Sequence, residues 1–362
     1  MISNALHRLQ RMDWFILGAL FFLAAVSLVT LGSYGNGYLQ KQILWYVIAF
    51  LIVFAGAFID WGWLVRWPVL QYGLYWVAVG LLVVSNLQSH IIRGARSWIV
   101  IGGFQFEPSE LAKVALILLL AGFFTRRHLA AWRTKYLFTS GFYTLLPAAL
   151  IAIHPDLGST IIVVSIWIGF VLMSGINKKR FLVGLLLAAL ALVLVWVAFL
   201  KPYQKDRLTA FLSPNRDPLG INYNVIQAKV AIGSAGFLGK GFGEGTQVHL
   251  HFLPESQTDF IFAAFTEEWG FLGATLLILT FLLIFYRLMD IGLRAGSNEE
   301  KFLILGAFLI IFVQFLINIG SNIGLVPVTG ITLPFVSYGG SSLLTVAVLV
   351  SIIQHIKLES SR

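Results

Sequence analysis

Three short runs in this 362-residue chain place ionisable side chains where chemistry can be done. In Phe252-Leu-Pro-Glu-Ser-Gln-Thr-Asp-Phe-Ile-Phe-Ala263, Asp259 stands immediately before a long apolar stretch, with Glu255 ahead of it. A carboxylate at the mouth of a helix, reached from a polar loop, suits a general base. The competing reading is an N-cap that satisfies the first helical turn, although Thr258 can cap instead and release Asp259 from that duty. Glu267 and Glu268 follow two turns into the same helix. At least one of them must be buried and either hydrogen-bonded or protonated, and a structural brace is the simpler role for it.

Glu110 and Lys113 lie three residues apart inside another apolar stretch and so share a helix face. Ionisable groups at such positions face a partner or a wet cavity. Either they form a mutual structural pair, or Lys113 lines a cavity and meets an anionic group. His154-Pro-Asp-Leu-Gly-Ser159 breaks the chain between two apolar segments, and Asp156 there is placed to cap the following helix. Six glycines between Gly233 and Gly245 surround Lys240. Their spacing is not that of a nucleotide-binding P-loop, because Gly241 follows the lysine. A tightly turning loop is the plain reading; backbone N–H groups beside a lysine holding a lipid pyrophosphate is the functional one.

These residues must be positioned by a membrane-embedded scaffold. The chain is 58% hydrophobic and only 11% charged, with a mean hydropathy of +0.86. A soluble domain carries about 25% charged residues, so this one lacks the polar surface to face water all round. Apolar stretches recur at 14–31, 43–59, 67–85, 109–124, 138–153, 158–174, 181–200, 260–286, 302–320 and 335–353. Most approach the roughly 20 residues that cross a bilayer; 109–124 and 138–153 read as short. With an inner N-terminus, the inner segments hold Arg8, Arg11, Arg66, Arg126, Arg127, Arg133, Lys135, Lys178, Lys179, Arg180, Arg287, Arg294, Lys301, Lys357 and Arg362, whereas the short outer loops hold only Lys41, Arg93 and Arg96. That asymmetry puts both termini in the cytoplasm. The basic start and first apolar run lack a small-residue cleavage site and read as a retained anchor.

The expected fold is therefore an all-α integral membrane protein, one domain over 1–362. It has about ten transmembrane helices and a large extracytoplasmic loop, 201–258, between helices 7 and 8. A loop of that length is usually functional or disordered. This one carries an amphipathic stretch from Asn222 to Ser234, suited to the outer interface. The net charge of +9 is accounted for by helix orientation, which argues against nucleic acid as a partner. The chain has no cysteine, which excludes thiolate sites and disulfides.

Six strings occur in the order seen in one known family. They are Arg93-Gly-Ala-Arg-Ser-Trp-Ile99, Glu107-Pro-Ser-Glu-Leu-Ala-Lys113, Pro155-Asp-Leu-Gly158, Gly245-Thr-Gln247, Leu253-Pro-Glu255 with Thr258-Asp-Phe-Ile-Phe-Ala263, and Pro334-Phe-Val-Ser-Tyr-Gly-Gly-Ser341. Together they resemble the SEDS family (shape, elongation, division and sporulation), and Gly245-Thr-Gln247 with Asp217-Pro-Leu-Gly220 is similar to its rod-shape (RodA) branch. The resemblance implies a peptidoglycan glycosyltransferase with ten spans that polymerises lipid II and depends on a divalent cation, Mg2+ or Mn2+. It also implies a class B penicillin-binding protein transpeptidase as partner. The family's essential aspartate falls on Asp259, and its paired Glu and Lys fall on Glu110 and Lys113. The chain departs from the family pattern at His154 and at Glu107, where a neutral residue is usual.

The expected reaction is inverting transfer at the outer membrane face, with Asp259 accepting the proton of the attacking hydroxyl. Asp259 is equally a candidate ligand for the cation. Lys113, Arg93, Arg96, Lys240, Glu110 and Glu255 are expected to bind substrate, and Asp156, Glu267, Glu268 and Ser337 to support them. A flippase for lipid-linked precursors is the rival reading, with Glu110, Lys113 and Glu267 lining its path. The long outer loop favours a polymerase, which needs a water-exposed chamber. A scaffold for the transpeptidase is the third reading, and it would make Asp259 dispensable. Gly320 and Gly324 are candidates for close approach of a partner helix.

Overall fold

The computed structural model describes residues 9–34, 36–63, 67–87, 98–101, 104–127, 134–153, 156–177 and 222–360, with scattered positions between 179 and 220. The helices are α1 (Trp14–Ser33), α2 (Asn36–Gly56), α3 (Pro68–Leu87), α4 (Pro108–Arg126), α5 (Thr134–Ile153), α6 (Leu157–Met173), α7 (Tyr223–Ser234), α8 (Ile261–Arg294), α9 (Asn298–Asn322) and α10 (Gly340–Ser360). A two-stranded antiparallel hairpin, β1 (Ile99–Ile101) and β2 (Phe104–Phe106), precedes α4. Eight of the helices are long and apolar enough to cross a membrane, and α6 is a shorter apolar helix of 17 residues. Apart from positions 182–184 and 186, the seventh expected span, 181–200, lies outside the described residues. The stretches at 109–124 and 138–153, read as short, extend to 19 and 20 residues because polar residues at their ends continue the helix.

α4 is the most deeply enclosed span, packed by α3, α5, α6, α9 and α10. Lipid tails are as apolar as leucine, so association in a membrane rests on close packing and on polar bonds. Aromatic stacking joins α8 to α9, where the Phe281 and Phe315 rings lie 4.8 Å apart. A polar knot closes one end of the bundle. Asp13 caps α1 by accepting from the Ile16 N–H at 3.0 Å, pairs with Arg287 of α8, and receives the α10 side chain Gln354 on its backbone. Asp259 lies at the opposite end.

α8 is 34 residues long, about 51 Å at 1.5 Å per residue and well beyond the roughly 30 Å hydrocarbon layer. It is broken at Gly270, whose φ of 68° and ψ of −168° are not helical. The sequence reads as one uninterrupted helix here, because no proline marks the break. The glycine-rich loop repairs the broken ladder. Lys240 and Gly241 N–H groups donate to the Glu267 and Glu268 carbonyls, each at 3.0 Å, and the Phe271 and Leu272 N–H groups donate to the Gly236 and Phe237 carbonyls. The two backbones cross at Gly239 and Gly270. A Cβ on Gly270 would lie 2.5 Å from the Phe237 carbonyl oxygen, and one on Gly239 would lie 2.6 Å from the Gly270 nitrogen. The loop glycines therefore seat a backbone crossing, and the N–H groups of residues 240 and 241 are committed to α8.

α7 forms where the amphipathic stretch was expected, and it buries Ala228 and Ala231 against Leu253, Phe260 and Ala263. Gly320 and Gly324 are not open to a partner. A Cβ at Gly320 would meet Val326 at 3.0 Å, and one at Gly324 would collide with Lys229.

Alanine at Gly270 or Gly239 is expected to lower thermal stability in detergent by at least about 1–3 kcal/mol, because φ is positive and the obstructing atoms are backbone. Alanine at Gly80, which has open space around it, should leave the melting temperature unchanged or slightly raised. Equal behaviour of the three variants would contradict the crossing.

Candidate active site

Asp259 sits half-buried in a turn that ends where α8 begins. Glu255 enters that turn with a φ of 52°, and its carbonyl accepts the N–H groups of Thr258, Asp259 and Phe260 at 3.1, 3.1 and 3.3 Å. The three carbonyls on the way out are held from elsewhere. The Tyr338 N–H donates to the Gln257 carbonyl at 2.9 Å, and the Ser337 hydroxyl to the Thr258 carbonyl at 2.6 Å. The Asn318 and Asn322 amides of α9 both donate to the Asp259 carbonyl at 2.9 Å.

The helix cap differs from the expectation that Asp259 or Thr258 supplies it. Phe260 occupies the cap position without a side-chain bond, and the Asn322 Oδ1 accepts the Ala263 N–H in trans at 3.1 Å. Thr258 instead bonds the Glu255 carboxylate at 3.0 Å. Glu255 is thus the organiser of the turn.

The connection from α9 to α10 passes beside the aspartate. A Cβ on Gly330, at φ 77°, would lie 3.8 Å from the Asp259 Oδ2. The Asn318 amide also donates to the Ile331 carbonyl at 2.8 Å, tying this connection to the clamp. On its other side the connection meets the start of α6. A Cβ on Gly158 would fall 2.9 Å from Ile331 Cδ1 and 3.2 Å from the Thr329 oxygen. Asp156 caps that helix, accepting from the Ser159 N–H at 2.9 Å.

Next to this lies the pair predicted on α4. Lys113 Nζ donates to Glu110 Oε1 at 2.7 Å, and both side chains are almost fully buried. Glu110 Oε2 has no hydrogen-bond partner among the described residues, so the pair is not internally complete. Glu107 stands at the mouth of the same helix, its carboxylate taking a 2.6 Å bond from Ser109. Desolvation, with Glu110 and Asp156 close by, pushes its carboxyl up to about 8.

The remaining predicted residues divide clearly. Glu267 is fully buried and receives Lys240 Nζ at 2.6 Å, the Thr246 hydroxyl at 3.1 Å and the Gln247 N–H, so Lys240 and Glu267 brace the loop. Glu268 accepts from the Gly243 N–H at 3.3 Å and lies 3.7 Å from His249. Ser337 holds the clamp. Arg93 and Arg96 lie outside the described residues. Sequence reasoning missed Asn318, Asn322, Tyr338 and Ser341, the last of which links the Gln105 carbonyl and the Glu107 N–H to the start of α10. Two asparagines four residues apart in an apolar span were the available signal, since such amides need buried partners.

Asn322→Ala should strand the Ala263 N–H and weaken the hold on Asp259, lowering thermal stability by about 1–3 kcal/mol. Thermal unfolding in detergent measures this, and a wild-type melting temperature would argue against the clamp.

A family model described as "Cell cycle protein", built on the FtsW, RodA and SpoVE proteins, matches residues 4–362. The peptidoglycan glycosyltransferase MrdB of Escherichia coli is 37% identical over 291 residues, 79% of this chain and 78% of MrdB. Stage V sporulation protein E of Bacillus subtilis is 35% identical over 320 residues, 88% of this chain and 86% of that protein. A solved chain from a peptidoglycan synthase complex that coordinates polymerization and crosslinking superposes with a TM-score of 0.83 at 31% identity, over 97% of this chain and 99% of the other. The rod shape determining protein RodA of Thermus thermophilus superposes with a TM-score of 0.72 at 27% identity, over 97% and 98%. The chain is a multi-pass membrane protein and belongs to the FtsW/RodA/SpoVE family, the SEDS proteins.

Proposed function

We propose that this chain is a peptidoglycan glycosyltransferase that polymerises lipid II into glycan strands for cell elongation and rod shape. It works at the outer face of the bacterial cytoplasmic membrane, with Asp259 as general base. The observation that carries the reading is the clamp on the turn at Gln257–Asp259, in which every carbonyl is held by another element. Proton transfer demands such rigid placement, because near-attack geometry tolerates little displacement.

In the reaction, the 4-hydroxyl oxygen of an incoming GlcNAc attacks the anomeric carbon of the donor sugar. The bond from that carbon to the lipid pyrophosphate breaks with inversion, and the hydroxyl proton passes to an Asp259 carboxylate oxygen. Negative charge grows on the departing pyrophosphate. Lys113, buried beside Glu110, suits it, since a cation in a low-dielectric site stabilises developing charge strongly. Arg93 and Arg96 are further candidates by sequence.

Among the described residues no three His, Asp or Glu side chains converge on one point. A Mg2+ or Mn2+ ion is nonetheless compatible with this donor set, because Mg2+ is commonly held by one or two carboxylates together with substrate phosphates. Asp259 is the carboxylate that would hold it. When bound, such an ion would neutralise charge on the leaving group.

The Asp259 end is read as extracytoplasmic and both termini as cytoplasmic, since Arg287, Arg294 and Lys357 end their helices at the opposite side. The partner is a class B penicillin-binding protein, the transpeptidase that crosslinks the new strand. The surrounding membrane lipids meet the outward apolar side chains of the spans, such as Leu87, Phe138 and Leu293.

Asp259→Asn should lower the polymerisation rate on labelled lipid II roughly 10²–10⁴-fold with an unchanged melting temperature. Asp259→Glu should retain little activity. A near wild-type rate for the asparagine variant would sink the mechanism, and partial rescue by tenfold more divalent ion would make Asp259 a metal ligand rather than the base. For the orientation, the cysteine-free background allows single labels. Glu244→Cys should react with an impermeant reagent from outside intact cells and Asn298→Cys only after permeabilisation; the reverse pattern would invert the protein.

A further inference from the structure

α7 lies beside the C-terminal end of α9, and between them is a cavity of about 120 Å³ whose lining includes Asn222, Asn224, Val225, Lys229, Val326 and Val328. Pockets that enclose a drug-sized ligand measure roughly 300–1,000 Å³. This one therefore suits a single small group of a larger molecule. Lys229 gives it a charge. Gly324, at φ 75°, makes room for the lysine, since a Cβ there would collide with its Cε and Nζ. Among the described residues, no hydrogen bond or ion pair engages that ammonium.

The surroundings point to an amphipathic anion. Val225, Val326 and Val328 make the rest of the lining largely apolar, and Val230, Phe237 and Leu238 are exposed on the same segment. The cavity shares the connection that passes the active site. Val328 is two residues from Gly330, whose bare Cα faces the Asp259 carboxylate. The connection from residue 324 to residue 331 thus runs from Lys229, past Asp259, to the start of α6 beside the Glu110–Lys113 pair.

Joining two lipid-linked sugars takes two lipid phosphates at one centre, one on the departing lipid and one on the acceptor. We propose that Lys229 and its pocket form the second of these sites, holding the lipid-borne phosphate of the acceptor. This rests on the glycosyltransferase reading. The competing role for Lys229 is a counter-charge to the C-terminal end of α9.

Binding without turnover separates them. Full-length wild type, Lys229→Gln and Lys229→Arg would be titrated in detergent with polyprenyl pyrophosphate or with phosphatidylglycerol, and bound lipids counted by native mass spectrometry. Wild type should hold two polyprenyl pyrophosphates. In Lys229→Gln one of the two should bind about tenfold more weakly, as expected for losing one charge-assisted contact, and Lys229→Arg should stay near wild type. The effect should be larger for the pyrophosphate than for phosphatidylglycerol. An equal or larger effect on phosphatidylglycerol would overturn the acceptor assignment in favour of a bulk-lipid site. Unchanged binding with a lowered melting temperature would leave only the helix counter-charge and overturn the site. Since no step here requires catalysis, failure of the protein to polymerise lipid II would be a separate result, counting against the function and not against the pocket.

Discussion

The site depends on the hold that other elements keep on three consecutive carbonyls, those of Gln257, Thr258 and Asp259. A turn buried at the end of a membrane bundle must find partners for its backbone within the protein, because bulk water is not there to serve. Here the partners come from α9 and from the segment leading into α10. Asn322 does two jobs, accepting from the first turn of α8 and donating to the Asp259 carbonyl. The placement of the aspartate is therefore set by three parts of the chain that lie up to 80 residues apart in sequence.

The same logic governs the glycine-rich loop. A helix interrupted at Gly270 would leave carbonyls and N–H groups orphaned, and the segment from Gly236 to Gly241 supplies partners on both sides of the break. Two glycines without side chains let the backbones touch. Glu267, buried just before the break, then gathers Lys240, Thr246 and Gln247. Its charge is satisfied by a cation and hydrogen bonds together, the condition under which a buried carboxylate is tolerated. The loop is thereby fixed to the helix that begins beside Asp259.

Electrostatics around α4 follow a different pattern. The Glu110–Lys113 pair is closed on one oxygen and open on the other, and desolvation raises the Glu107 carboxyl at the mouth of the same helix. In the proposed reaction this places Lys113, held by a single Glu110 oxygen, close to the pyrophosphate.

By itself the sequence determined the class of fold and most span positions, and it singled out the leading residues of the proposed site. Long apolar runs can only be helices in a membrane, and basic residues orient them, so both are local signals. Asp259, Glu110 and Lys113 stood out because ionisable groups are rare and costly in such runs. Asp156 as a cap and Glu267 as a brace were likewise legible from position. What only the tertiary structure decided was who holds whom. Phe260 stands at the cap of α8 while Asn322 reaches it from another helix; the glycine run serves a crossing with Gly270; Lys240 is spent on Glu267; and Gly320 and Gly324 accommodate the chain's own side chains. These contacts join residues far apart in the chain. A hydrogen-bond donor or a bare Cα carries no mark of its partner until the helices pack.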